Sequence, residues 1–332
     1  MKVFAPEYYN DFQCIAAACP DSCCKEWTVD VDAQSARFYR SLSGSLGDRL
    51  REVLVDTENG AVMTIENGRC PMWQPDGLCR IQAELGHDAL CKTCRDFPRI
   101  SHDYGDFKEL GLELSCPEAA RIILTAENWA LTPVSEENGG EKDYDAELMN
   151  TLLASHKAVL TFLEERAYPL PQALAVILLY AHHVQREIDG GEKAVMDMAV
   201  LLKQANSLPK THDLTALFSF FESLEILTET WKTRLQQPHG EILWPPMLKA
   251  FARYLVQRYW LQAVADYDIV CRAKWIVAAC LLVAAMGEDP MQTAQLFSKE
   301  IENDPDNIDA ILDGAYTAPA LTDSNLLGLL LP

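Results

Sequence analysis

Apolar and polar residues alternate from Trp27 to Asp32 (Trp-Thr-Val-Asp-Val-Asp), the period of a half-buried strand. From Ala33 to Leu54 the spacing turns helical, with a break at Ser43-Gly44-Ser45-Leu46-Gly47. Ala61 to Glu66 reads again as strand and stops at Asn67-Gly68, a tight-turn signal. Gln74-Pro75-Asp76-Gly77 marks a second turn, Ile81 to Leu90 a short helix, and the alternating Leu110, Leu112 and Leu114 a last strand. Thr132 to Asp143 is polar, holds Pro133 and Gly139-Gly140, and reads as a linker. Beyond it the pattern is helical, over about 147–166, 171–188, 192–206, 214–235, 244–265 and 268–286. Pro169, Gly190-Gly191, Pro209, Pro238, Pro245-Pro246 and Pro290 mark the breaks. Leu326 to Leu331 is expected to dock on the helical core. No fixed-period repeat is visible, which argues against a solenoid. The expected fold is mainly α: a small cysteine-rich α+β domain with short strands over residues 1–130, then an all-α helical domain over 144–332.

The 332 residues are 49% apolar, enough for two ordinary cores. The net charge of -21 argues against DNA or RNA, whose phosphates are met with Lys and Arg, and permits a lysine-presenting partner. The apolar run Ala173 to Ala181 falls short of the eighteen or so residues of a membrane span, so no membrane partner is expected.

Nine of the eleven cysteines fall between Cys14 and Cys116. They form Cys14-x4-Cys19-x3-Cys23-Cys24, Cys70-x8-Cys79, the pair Cys91 and Cys94, and Cys116 alone. Thiolates are soft ligands suited to zinc, copper(I) and iron–sulfur clusters. Nine exceed the four that one tetrahedral zinc or one cubane cluster needs, which points to two centres or to one centre with bystander thiols. A disulfide framework calls for an oxidising compartment, whereas the opening MKVFAPEYYNDFQC lacks the apolar core of a signal peptide. Reduced thiols are therefore expected.

The spacing matches neither a common zinc finger nor the bacterial ferredoxin run. A C-x3-C-x2-C radical-type pattern fails at its third thiol, since Cys24, Lys25 and Glu26 follow Cys23. The chain shows no P-loop, no G-x-S-x-G elbow and no glycine-rich cofactor loop after a strand. Cys271 and Cys280, nine residues apart on one helix, point to opposite faces and read as core thiols. His182 and His183 read as hydrogen-bonded or solvent-edge histidines. His102, between Cys94 and Cys116, could join a mixed site, although all-thiolate ligation is preferred. Trp27, Trp73, Phe97 and Tyr104 could wall a lysine or simply pack over a metal.

Several stretches together carry a resemblance. In order they are Phe12-Gln13-Cys14, Cys19-Pro20-Asp21 with Cys23-Cys24 and Trp27, Cys70-Pro71, and Leu78-Cys79-Arg80-Ile81. Gly86 with Ala89-Leu90, Thr93-Cys94, Phe97-Pro98-Arg99 and Leu114-Ser115-Cys116-Pro117 complete the series. Over about residues 8–125 the chain resembles the flagellin lysine-N-methylase family, within the wider group of zinc- or iron-chelating CxxxCxxCC domains. The resemblance implies a cytoplasmic enzyme that moves methyl groups from S-adenosylmethionine to lysine amines of flagellin or another lysine-presenting protein. It also implies an iron–sulfur cluster of the 4Fe-4S type, or zinc, held by Cys14, Cys19, Cys23, Cys24, Cys70, Cys79, Cys94 and Cys116. Cys91 stands apart as a bystander or substitute ligand. A non-catalytic metal module and a redox protein are the alternatives. The residues alone name no catalytic base.

Overall fold

In the computed structural model, which describes residues 1–165, 167–237, 242–287 and 289–331, the chain is mainly α with short strands in its first third. Arg166, the end of one expected helix, and Pro238, one of the expected breaks, lie outside the described residues. The strands are β1 (Lys2–Pro6), β2 (Val29–Asp32), β3 (Leu54–Thr57), β4 (Gly60–Met63), β5 (Arg99–Asp103), β6 (Phe107–Leu112) and β7 (Leu131–Glu136). The short helices of this part are α1 (Ala33–Ser41), α2 (Gly44–Val53), α3 (Arg80–Leu85), α4 (Lys92–Asp96) and α5 (Pro117–Thr125).

Two sheets result. β2, β4 and β3 form an antiparallel three-stranded sheet, with Val29 and Val31 buried and Asp30 exposed, as the alternation implies. Leu54, expected to end a helix, instead opens strand β3. Gly60 lets the β3–β4 turn press against β2, where a Cβ would meet the Val31 carbonyl oxygen at 2.3 Å. The second sheet runs β5-β6-β1-β7, with β1 parallel to β6 and antiparallel to β7. β7 occupies the start of the expected linker. Pro133 is tolerated there because β7 is an edge strand, where a missing amide costs no ladder bond.

The rest is helical: α6 (Ala146–Glu164), α7 (Leu170–Ile188), α8 (Met198–Asn206), α9 (Thr215–Glu222), α10 (Glu229–Gln236) and α11 (Met247–Tyr259). There follow α12 (Ile269–Met286), α13 (Pro290–Phe297), α14 (Pro305–Thr317) and α15 (Asp323–Leu330). The stretch expected as one helix over 214–235 is two, separated by Ser223–Thr228. α12 is apolar apart from Arg272 and Lys274 near its start and therefore sits in the centre, 94% buried, touching α7, α11, α13, α14 and α15. Among the described residues it is the one helix long and apolar enough to cross a membrane, and here the other helices surround it. Trp275 on α12 stacks on Phe297 at 5.5 Å and meets Tyr259 edge-on at 5.7 Å. Leu326, Leu327, Leu329 and Leu330 of α15 are buried against this core, so the leucine-rich end docks as expected.

The large core is not confined to the helices. Tyr8, Phe12, Leu112, Leu114 and five residues of α5 belong to it. A second, smaller core joins Val29, Val31, Tyr39, Leu50, Val53, Met63 and Met72 to Cys70 and Cys91. The cysteines thus lie where a small sheet with its own core meets the main body.

Candidate functional site

Backbone pairing gathers the cysteines. The Cys70 amide donates to the Cys24 carbonyl at 2.7 Å, and Trp73 bridges to Cys79, so residues 24, 70 and 79 are brought side by side. Asp32 caps α1 by accepting from the Ser35 amide at 2.9 Å. Its second oxygen accepts from the Lys92 amide at 3.0 Å, fixing the start of α4 between Cys91 and Cys94. Those backbone hydrogen bonds hold the Asp32 carboxyl down to about 2. Sequence reasoning missed Asp32, whose only local signal is the helix-capping residue type.

The thiols fall into two overlapping neighbourhoods. Cys24, Cys70, Cys79, Cys91 and Cys94 pack on the small core. Cys24 lies between Cys23 and Cys70: Cys23 pulls its thiol down, while Cys70 and burial hold it up at about 12. Cys24 in turn lowers Cys70, Cys94 lowers Cys91, and Cys91 raises Cys94. Cys19 is raised by burial and feels Cys23 and Cys14; Cys116, pushed up to about 11 by burial, feels Cys19 and Cys23. Cys23 therefore belongs to both neighbourhoods. All eight thiols expected as ligands lie in this region, together with Cys91.

Crowded, half-buried thiols hold their protons unless a cation replaces them, and soft thiolates suit zinc or an iron–sulfur cluster. The donor set fits such a group by its chemistry. Among the described residues no three such side chains converge on one point; the Cys70 thiol meets the Met63 sulfur at 3.3 Å and the Cys91 thiol the Asp30 carbonyl at 3.7 Å.

Beside the thiols opens a cavity of about 540 Å³, between the Cys19–Trp27 loop, α5 and the α10 and α13 ends. This lies within the volume range of ordinary ligand sites. Its far wall is reached through a single π-helical turn, Ser298–Glu302, that continues α13. Such turns are rare and frequently mark functional sites. The turn buries three charged side chains, each with a distant partner. Lys299 reaches Asp21 at 2.9 Å and Glu26 at 2.6 Å. Glu300 accepts from the Leu227 amide at 2.8 Å and from the Thr228 hydroxyl. Glu302 accepts from Tyr259 at 2.8 Å and Tyr254 at 3.2 Å. Gln295 ties the two sides, donating to the Ser115 carbonyl at 2.7 Å. Sequence reasoning missed this turn, because Ser-Lys-Glu-Ile-Glu reads locally as an exposed polar stretch.

The aromatic residues near the cysteines do not gather into one wall. Trp27 packs 6.2 Å from Phe97, Trp73 lies under Arg69, and Tyr104 stacks on Phe107. His102 faces away from the thiols. It pairs across the strands with Glu109 and lines a small pocket with Tyr8, Tyr254 and Arg258; burial lowers it to about 4. His182 binds Asp323 at 2.9 Å, a hydrogen-bonded histidine as expected.

Cys271 and Cys280 are buried in α12, and burial raises both thiols, Cys271 to about 12. Cys271 Sγ accepts from Arg272 at 2.8 Å, and Cys280 sits in the main core. A Cys271→Ser, Cys280→Ser chain is expected to keep its full metal content and lose about 1–3 kcal/mol of stability through poorly solvated hydroxyls. Metal analysis alongside thermal melts checks this, and loss of a metal equivalent would overturn the assignment of ligands to the first third.

Compared with known proteins, the chain matches no family model, and no solved structure resembles it significantly. It is 33% identical over 131 residues to the flagellar biosynthetic protein FliU of Salmonella muenchen, covering 37% of this chain and 78% of that protein. It is likewise 33% identical over 131 residues to the lysine-N-methylases of Salmonella choleraesuis (strain SC-B67) and Salmonella typhimurium. Those matches span about a third of each lysine-N-methylase, 33% of its length, and 37% of this chain.

Proposed function

We propose, for a chain that belongs to the flagellin lysine-N-methylase family, a protein-lysine N-methyltransferase that acts in the cytoplasm on flagellin or another lysine-presenting protein. The donor is S-adenosylmethionine. The observation that carries the reading within this fold is the cavity of about 540 Å³, walled on one side by the cysteine loop and on the other by helices of the main body. Its position suits a division into a cysteine-bearing part (residues 1–130) and a helical part (144–332), with the substrates meeting between them.

A metal centre, an iron–sulfur cluster of the 4Fe-4S type or zinc, belongs to this proposal. Cys14, Cys19, Cys23 and Cys116 would supply one set of donors, and Cys24, Cys70, Cys79 and Cys94 the other, with Cys91 beside Cys94. Such a group would fix the cysteine loop and tune the charge at that end of the cavity. In a polar transfer the lysine nitrogen bonds to the methyl carbon, the carbon–sulfur bond breaks, and its electron pair leaves with the thioether sulfur. The ammonium must first give up a proton. Asp21 and Glu26, at the mouth of the cysteine loop, are the carboxylates placed to receive one.

The test is anaerobic purification with iron, zinc and sulfide analysis, followed by labelled donor and purified flagellin. Bound donor and label on flagellin lysines are expected. Raised salt should slow the encounter more than the transfer, because the chain carries a net charge of -21. Metal-loaded protein that binds no donor would overturn the reading in favour of a non-catalytic metal module. The packing of Cys24, Cys70, Cys79, Cys91 and Cys94 on the small core is the observation that favours that second reading.

A further inference from the structure

Two carboxylates and two ammonium groups close a ring at the cysteine end of the cavity. Asp21 gives Oδ1 to Lys25 at 2.9 Å and Oδ2 to Lys299 at 2.9 Å. Glu26 gives Oε1 to Lys25 at 3.6 Å and Oε2 to Lys299 at 2.6 Å. All four side chains line the cavity. The Lys299 ammonium also lies 5.2 Å from the centre of the Trp27 ring.

The two lysines are not equivalent. Lys299 comes from the buried π-helical turn, and its side chain is 1% exposed. To leave the ring its ammonium would have to give up two close ion pairs from a buried position, so it stays. Lys25 lies on the cysteine loop itself and its side chain is 32% exposed. As the more exposed of the two ammonium groups, Lys25 is the one that can swing into water. The cavity walls then hold Asp21, Glu26, Glu118 and Asp289 against only Lys299 and Arg121. That surplus of negative charge attracts one cation into the position Lys25 has left.

We propose that the Lys25 position of this ring is the receptor for a primary alkylammonium, the side-chain end of a substrate lysine, and that Lys25 is its built-in occupant. This rests on the methyltransferase reading for the identity of the substrate but not for the existence of the subsite. An arriving lysine replaces Lys25 between Asp21 and Glu26, while Lys299 stays to hold both carboxylates in place. Its four methylenes lie along the apolar wall of Ile15, Pro20 and Pro117.

The experiment is a calorimetric titration of the metal-loaded full chain, without methyl donor, by n-butylammonium and by the blocked peptide acetyl-Gly-Lys-Gly-amide. With its competitor removed, Lys25→Ala should bind both about fivefold tighter than the parent, since a site filled by its own occupant weakens apparent affinity by the open fraction. Neither n-butanol nor the norleucine peptide should bind. Adding Asp21→Asn should abolish the gain. Equal or weaker binding by folded Lys25→Ala would overturn the proposal and leave the ring a structural tie. Should Lys25→Ala fail to fold, Lys25→Met serves, and Asp21→Asn in the parent background must still remove peptide binding. Tight ammonium binding without label transfer would sink the methyltransferase reading alone, whereas label transfer without tighter binding would sink this subsite alone.

Discussion

A chain carrying Cys24→Ala, purified without oxygen, is expected to lose most of its metal and to become sensitive to protease between Cys23 and Phe97. Its helical circular dichroism should stay near that of the parent. Cys24 is the residue on which the small core and the thiols both depend. Its carbonyl accepts from the Cys70 amide, its sulfur lies between Cys23 and Cys70, and it packs on the core that contains Cys70 and Cys91. In small metal-organised units the metal contributes about 10 kcal/mol or more to folding, so the effect should be all-or-none for that unit. The spared part should be larger than the helices alone. β6, α5 and the turn after β1 are anchored in the main core through Leu112, Ile123 and Tyr8, and should resist protease as well. Unchanged metal content with an unchanged proteolysis pattern would remove the organising role from the thiols.

The second large effect is expected at Arg258. This guanidinium is buried on α11, donating to the Tyr254 hydroxyl at 2.6 Å and to Glu113 at 3.2 Å, with Glu302 3.7 Å away. Arg258→Met keeps the apolar stem but strands two buried carboxylates, which should cost about 3–5 kcal/mol. The loss should depend on pH in a defined direction. Burial already raises Glu113, and without the cation its carboxyl in the folded variant is held above its unfolded value. The folded variant then binds more protons than the unfolded one, so its stability rises as pH falls through the raised value. Thermal melts at pH 5 and pH 7 should show the gap to the parent narrowing at the lower pH. A gap independent of pH would mean that the guanidinium contributes packing and not charge.

What could be read from the chain was whatever local pattern determines. The α12 helix, the β2 strand, the capped short helices and the grouping of cysteines all follow from neighbours a few residues apart. The stretches that misled are those decided by distant partners. Lys2–Pro6 is too short to announce a strand, and becomes one because residues 107–109 and 131–136 lie on either side. Thr132 to Glu136 has linker composition but is held by β1. Lys299, Glu300 and Glu302 look solvated in sequence, and are buried because Asp21, Thr228 and Tyr259, all remote, each meet one of them. The cavity was likewise out of reach, since its walls come from four widely separated segments.

The placing of β1 between β6 and β7 also sets a schedule for synthesis. At about 5–20 residues per second, on the order of ten seconds separate the making of β1 from that of β7. During that interval Cys14, Cys19, Cys23 and Cys24 have left the ribosome's active centre while the sheet that anchors their loop is still missing one side. The nascent thiols therefore meet whatever metal carriers or oxidants the surroundings supply before the fold can shield them. The yield of correctly loaded protein should accordingly follow metal supply during translation more closely than metal added to the finished chain.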